Sequence, residues 1–327
     1  MAVPMWAWIA VIGGLLVVLA IDLWIVDRGE AREFSMRQAG YWVTFYVALA
    51  AAFGVILWTT AGAGTAGEFF AGYITEYSLS VDNLFVFFII MSRFAVPRAY
   101  QHKVLLVGIL LALVMRGIFI ALGAAALERF SWLFYVFGAF LVYTAVNLIR
   151  QHLKGEEDEF NENVVLRWVR RAFPTTEGYV GSKVTVKIDG RRMVTPMLIV
   201  MVAIGSTDLL FALDSIPAIF GLTKDPFIVF TANAFALMGL RQLYFLLGGL
   251  LQRLVYISYG LAFILGFIGV KLILEALHAS HVSWAPEIPI WVSLSVIGAT
   301  MVVTTVASLV KARIDARQDE QPHPEQV

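Results

Sequence analysis

The chain has 327 residues, 60% hydrophobic and only 15% charged, with a mean hydropathy of +0.79. A soluble domain of this size carries more charge, so the composition excludes a water-soluble globular protein and predicts an all-α polytopic membrane protein. The formal net charge of +0 offers no electrostatic footprint for nucleic acid, and the absence of cysteine excludes thiol redox chemistry, disulfides and thiolate metal sites.

Nine apolar runs are long enough to cross a hydrocarbon core of about 30 Å as helices. They lie near 5–26, 40–60, 69–91, 104–127, 131–150, 196–219, 226–247, 254–277 and 288–311. The segment from Met1 to Val26 has no positive n-region and no A-x-A site before Asp22, so it reads as a retained first span. Arg28, Arg32 and Arg37 follow span 1; Arg93, Arg98 and Lys103 follow span 3; Lys311, Arg313 and Arg317 follow span 9. The opposite side holds Arg129 and Lys224 with His278 and His281. Cytoplasmic loops concentrate Lys and Arg, which predicts an outside N-terminus and a cytoplasmic C-terminus.

Residues 1–150 thus hold spans 1–5 and residues 196–311 hold spans 6–9. Between them, 151–195 reads as a cytoplasmic loop: an acidic run Glu156 to Glu159, a short basic amphipathic helix Val164 to Phe173, and an alternating stretch Lys183 to Arg192 around Asp189-Gly190, a hairpin signal. Its charge pattern suits a connector meeting lipid headgroups. The polar tail 312–327 reads as disordered.

Two stretches stand out. Glu76-Tyr77-Ser78-Leu79-Ser80-Val81-Asp82-Asn83 in span 3 and Asp208-Leu209-Leu210-Phe211-Ala212-Leu213-Asp214-Ser215 in span 6 share the pattern acid, five residues, acid, small polar residue. In each case the next span carries an interior arginine, Arg116 or Arg241. Carboxylates in hydrocarbon cost a few kcal/mol or more and mark functional sites. We read spans 3–5 (about 69–150) and 6–8 (about 196–277) as one three-helix unit used twice. An odd number of spans inverts the second copy, the arrangement by which many transporters place a substrate site at the midplane. On this reading Asp82 and Asp214 meet near the centre, with Glu76 about 9 Å outward and Asp208 about 9 Å inward at the helical rise.

Glu76, Asp82 and Asn83 with Asp208, Asp214 and Ser215 form a candidate metal set made only of oxygen. Such shells suit Mn²⁺, Ca²⁺ and Mg²⁺. Pro217 is expected to break span 6 and free carbonyls as further ligands. Arg116, Arg241 and Lys271 are candidate supporting charges that hold an empty site together, and Asp22 is a candidate for the inner pathway. The alternative for each carboxylate is a structural ion pair. His278 and His281 read as surface residues.

The chain resembles the TerC family, and especially its Alx-type bacterial members, from about Ala20 to Ala312. The resemblance rests on Ala20-Ile21-Asp22-Leu23, the 76–83 stretch, Tyr135 to Phe140, Phe211 to Ile219, Asp225 to Val229 and Gly239 to Leu247. It implies a nine-span bacterial inner-membrane protein linked to Mn²⁺ export and tolerance, with the two acidic stretches as the metal pathway. The chain departs from the family pattern at Gly205, where a carboxylate is expected. The resulting expectation is a divalent-cation transporter that is not an enzyme. Mn²⁺ (or Ca²⁺) is its cargo and no cofactor is permanently bound. Its partners are the bilayer and the ion, with membrane proteins or a second copy of the chain as further candidates. No Walker motif for ATP hydrolysis is present. The alternative is a membrane assembly factor or redox-linked scaffold without transport. An intramembrane aspartyl protease is disfavoured because the Gly-x-Gly-Asp signature is missing.

Overall fold

The computed structural model describes residues 3–27, 36–130, 132–154, 173–188, 191–247, 256–280, 282 and 284–319. In chain order these form α1 (Met5–Asp27), α2 (Met36–Ala61), α3 (Ala63–Arg93), α4 (Arg98–Arg129), α5 (Leu133–Lys154), β1 (Thr185–Ile188), β2 (Arg191–Val194), α6 (Pro196–Phe220), α7 (Pro226–Met238), α8 (Leu240–Leu247), α9 (Ile257–Ala279) and α10 (Ile290–Asp319). The fold is all-α apart from the small hairpin. Among the described residues eight helical stretches are long and apolar enough to cross a membrane, with α7 and α8 taken together; α1 adds a shorter apolar run, Met5–Ile21. Helices are favoured here because hydrocarbon offers the backbone no hydrogen-bond partner.

The centre of the bundle is α3, which packs against α2, α6, α7, α8, α9 and α10. Its entry is abrupt. One residue, Gly62, separates it from α2 with φ 94, a backbone state that side-chain-bearing residues rarely adopt. The pair α7 and α8 is almost wholly enclosed: α7 is apolar but for Thr231 and Asn233, and α8 buries Arg241 and Gln242 among its apolar residues. α10 and the outward face of α2 instead present Val302, Val303, Val55 and Ile56 outward. That is the surface a lipid-facing helix should have.

α3 and α6 run antiparallel in a single register. Thr223, just past α6, donates to Glu68 Oε2 at 2.5 Å. A Cβ on Gly72 would stand 3.4 Å from Ile219 Cγ2. Glu76 and Ser215 both reach Nη1 of Arg116. Each four-residue step along α3 is therefore met by a four-residue step back along α6. The start of α6 and the end of α3 share the face that carries the hairpin. There Tyr179 donates to Phe94 O at 2.8 Å and Lys103 Nζ donates to Ser182 Oγ at 3.2 Å. In the hairpin, Thr185 stands opposite Val194 and Ile188 opposite Arg191.

The run 226–247 spans as expected, in two helical segments that meet at Gly239. Two expectations are corrected. Pro217 does not break α6. It sits in the last turn, where its missing N–H costs one bond and the helix closes through Gly221 N to Pro217 O at 3.0 Å. The segment 312–319, expected to be disordered, continues α10, which runs on to Asp319. The basic helix expected at Val164 to Phe173 falls almost wholly on residues outside the described set, as do 320–327 and His281.

Candidate functional site

The site is built around Arg116, in the middle of α4 and only 1% exposed. A guanidinium cannot shed its charge, so in this position it must be matched. Three helices match it. Arg116 Nη1 is paired with Glu76 Oε1 of α3. The same nitrogen donates to Asn233 Oδ1 of α7 at 2.8 Å and to Ser215 Oγ of α6 at 3.1 Å. Nε and Nη2 donate to the two oxygens of Asp208, at 3.3 and 3.4 Å, the forked geometry in which arginine recognises a carboxylate. Glu76, Asp208, Ser215 and Asn233 are themselves buried.

The cluster carries one cation and two carboxylates, and it has spare acceptor capacity. Among the described residues, Glu76 Oε2 and Ser80 Oγ are buried without a hydrogen-bond partner. Ser80 is one turn from Glu76 on the same face. A buried, unsatisfied carboxylate oxygen costs free energy until a donor or a cation reaches it. Hard oxygen donors without sulfur or imidazole suit a hard divalent cation.

The register alters the expected order of the acids. Glu76 lies at the level of Ser215, and the same register sets Asn83 at the level of Asp208. The backbone of Asp82 is therefore about 9 Å along α3 from the Glu76 level, while that of Asp214 is beside it. The backbones of Asp82 and Asp214 thus stand at different levels of the α3–α6 seam. Glu76 and Asp208, expected at opposite ends of an axis, meet on one guanidinium. The physical reason is that α3 and α6 overlap along their length, so acids at matched positions of antiparallel helices cross over. The side chains of Asp82, Asp214 and Asp22 lie outside the described set.

Arg241 is buried on α8, away from this cluster. Its Nη2 donates to the Gln242 amide oxygen at 2.9 Å in the amide orientation that also lets Gln242 donate to Met238 O. Lys271 of α9 lines a separate cavity of about 600 Å³ on the face opposite the hairpin. Gly205 sits in the α4–α6 contact, where a Cβ would run into Leu111 Cδ2. Sequence reasoning missed Asn233, although it and Thr231 are the polar side chains in the otherwise apolar run 226–238. It also missed Glu68, which lies two steps of four before Glu76 on the same seam.

The fold and this buried charge cluster define a polytopic integral membrane protein with ionisable groups enclosed at a helix junction. The chain belongs to the integral membrane protein TerC family, whose model matches residues 61–316. It is 46% identical over 313 residues to an uncharacterized membrane protein of Mycobacterium tuberculosis strain H37Rv, covering 91% of this chain and 79% of the relative. An uncharacterized membrane protein of Myxococcus xanthus is 42% identical over 306 residues, covering 94% and 92%. An Escherichia coli K12 protein with the provisional name membrane-bound redox modulator Alx is 37% identical over 325 residues, covering 97% of each chain. No solved structure matches.

Proposed function

We propose that the protein is a divalent-cation transporter, most suited to Mn²⁺ efflux, and that the Arg116 cluster is its substrate site. One observation carries this reading: Glu76 and Asp208, from two helices in different halves of the chain, converge on one buried arginine while a buried carboxylate oxygen of Glu76 stays unsatisfied. Most buried polar groups in folded proteins find a partner, so the free oxygen leaves room for a cation.

The mechanism follows from competition. Without an ion, Arg116 is the internal cation that holds α3 and α6 together. A divalent cation at Glu76 and Asp208 brings more charge than the guanidinium and takes its place as their counter-charge. Ser215, Asn233 and, further along α3, Ser80 and Asn83 supply neutral oxygens. Asp82 and Asp214 are further acids of the same two helices and candidates for the ion's path. Displacing Arg116 removes the clamp between the helices, so ion occupancy and helix separation are coupled, as alternating access requires. The ion is substrate, and this reading involves no enzymatic step.

The packing pattern supports an inverted repeat. α3 packs on α7 as α6 packs on α4, α3 packs on α9 as α6 packs on α5, and α5 packs directly on α9. Exchange of the two units maps the first two pairs of contacts onto each other and the α5–α9 contact onto itself. The hairpin face, with Arg93, Arg98, Lys103, Lys183, Lys187 and Arg192, is assigned to the cytoplasm of a bacterial inner membrane on its excess of basic residues. The name borne by the Escherichia coli relative points to redox modulation, but this chain has no thiol to perform it directly.

Purified protein in liposomes with a Mn²⁺-quenched dye inside tests the reading. Glu76→Gln, Asp208→Asn, Asp82→Asn and Asp214→Asn are expected to reduce flux by about tenfold or more, since even outer-shell changes at metal sites cost about 10–100-fold. Wild-type flux in all four variants overturns the site.

A further inference from the structure

The cavity on the face opposite the hairpin is lined by Glu68 of α3, Thr223 and Lys224 of the α6–α7 turn, Lys271 and Glu275 of α9, and Glu287 before α10. Its charges are not equivalent. Lys224 Nζ is paired with Glu275 Oε1 at 2.7 Å, both at the water side, and stands over the Phe134 ring at 4.9 Å. Glu287 meets His278 Nε2 at 3.3 Å. Lys271 differs from both. It is only 6% exposed, lines the cavity, and among the described residues makes no hydrogen bond or ion pair. The charges acting on it are Glu275, Glu68 and Lys224. An ammonium that faces the cavity near Glu68 without closing on it is a cation kept beside a carboxylate that is available to another cation. Glu68 Oε2 already accepts from Thr223 Oγ1, so the pair offers a carboxylate and a hydroxyl side by side.

The position on the seam gives the cavity its meaning. Glu68, Gly72 and Glu76 follow one another at steps of four on the α3 face that meets α6. Glu68 is therefore about 12 Å from Glu76 along the same line. One apolar layer separates them: Gly72 against Ala232 Cβ and Ile219 Cγ2, where a Cβ would stand at 3.2 and 3.4 Å.

We propose that this cavity is a second, weaker divalent-cation site, formed by Glu68 and Thr223 with Glu275 at its rim, in which Lys271 is a tethered cation that the ion displaces. It deepens the transport reading by giving the ion a station between the buried cluster and water. The Gly72–Ile219–Ala232 layer is the barrier between the two stations.

Direct Mn²⁺ binding to the full-length protein in nanodiscs, followed by electron paramagnetic resonance of the free ion, tests it. The wild type is expected to show two sites of unequal affinity. Glu68→Gln removes the weaker and keeps the tighter; Glu76→Gln does the reverse. Lys271→Met, which removes the competing charge, tightens the weaker site by about tenfold or more. Thermal unfolding of each variant identifies any that fails to fold, and Glu68→Gln carries the test if Lys271→Met does fail. A single site in the wild type, or a weaker site unchanged in a folded Glu68→Gln, overturns the proposal. Flux into liposomes is read separately: two binding sites without flux defeats transport and leaves the second site standing, whereas flux with one site defeats the second site alone.

Discussion

Arg116 of α4 joins Glu76 of α3 to Asp208 of α6, and no other cation among the described residues pairs with either acid. The cluster is thus both the proposed substrate site and a clamp between the two halves of the chain. Losing one partner of a buried ionic group leaves uncompensated charge and costs about 3–5 kcal/mol, whereas replacing the whole group with neutral side chains is far less harmful. Arg116→Met is therefore expected to lower thermal stability in detergent sharply. The triple variant Arg116→Met, Glu76→Gln, Asp208→Asn should recover most of the loss. Wild-type stability in Arg116→Met would show that the clamp bears no load.

The seam between Glu68 and Glu76 depends on the missing side chain at Gly72. A Cβ there fits only tightly against Ala232 Cβ, and a branched side chain does not fit. Gly72→Val should wedge α3 away from α6 and α7 at an overpacking cost of about 1–3 kcal/mol. Gly72→Ala should cost less, since its single carbon meets Ala232 at 3.2 Å and a few tenths of an ångström of movement relieves it. Unfolding midpoints of the two variants, compared with the wild type, check the order.

Gly205 stands where the resemblance to the TerC family led us to expect an acid. The structure gives a steric reason for glycine: Leu111 of α4 occupies the space, with its Cγ 3.4 Å from where a Cβ would be. Gly205→Asp alone is expected to destabilise by about 1–3 kcal/mol. Leu111→Ala in the same chain should relieve the clash, because the obstacle is the end of one flexible side chain. If the double variant is no more stable than the single, the obstacle lies elsewhere.

On the hairpin face, Tyr179 donates to Phe94 O, and burial pushes its hydroxyl pKa above the ordinary 10.0. Because the folded state favours the neutral phenol, its contribution is complete below about pH 10 and is lost as the pH rises through the raised value. Tyr179→Phe should cost about 1 kcal/mol at neutral pH, the typical net worth of one hydrogen bond. It should also flatten the alkaline decline in protection of the 173–195 segment. Proteolysis of that segment from pH 8 to 11, compared between wild type and variant, reads both effects.

The membrane class, the positions of the helices and the two acidic stretches were legible from one sequence, because each depends on local chemistry. A run of apolar residues has to be helical in hydrocarbon, and an acid within it is conspicuous. Breaks were harder to read. Pro217 looked like an interruption and is absorbed in the last turn of α6, whereas Gly239, without a strong local signal, separates α7 from α8. Residues 312–319 looked too polar to be ordered, yet they continue α10 to Asp319.

What sequence alone determined is the inventory: carboxylates and hydroxyls without cysteine, arginines inside apolar helices, and two acidic stretches of matched spacing. Which acid meets which cation was decided only in three dimensions. The antiparallel register of α3 and α6 places Glu76 beside Ser215, lets Asp208 share Arg116, brings in Asn233 from α7, and sends Lys271 to a different cavity with Glu68. The reason is physical. Spacing along one helix fixes which residues share a face, but the offset between two helices is set by how closely their backbones pack, and that depends on glycines such as Gly72 meeting side chains distant in the chain.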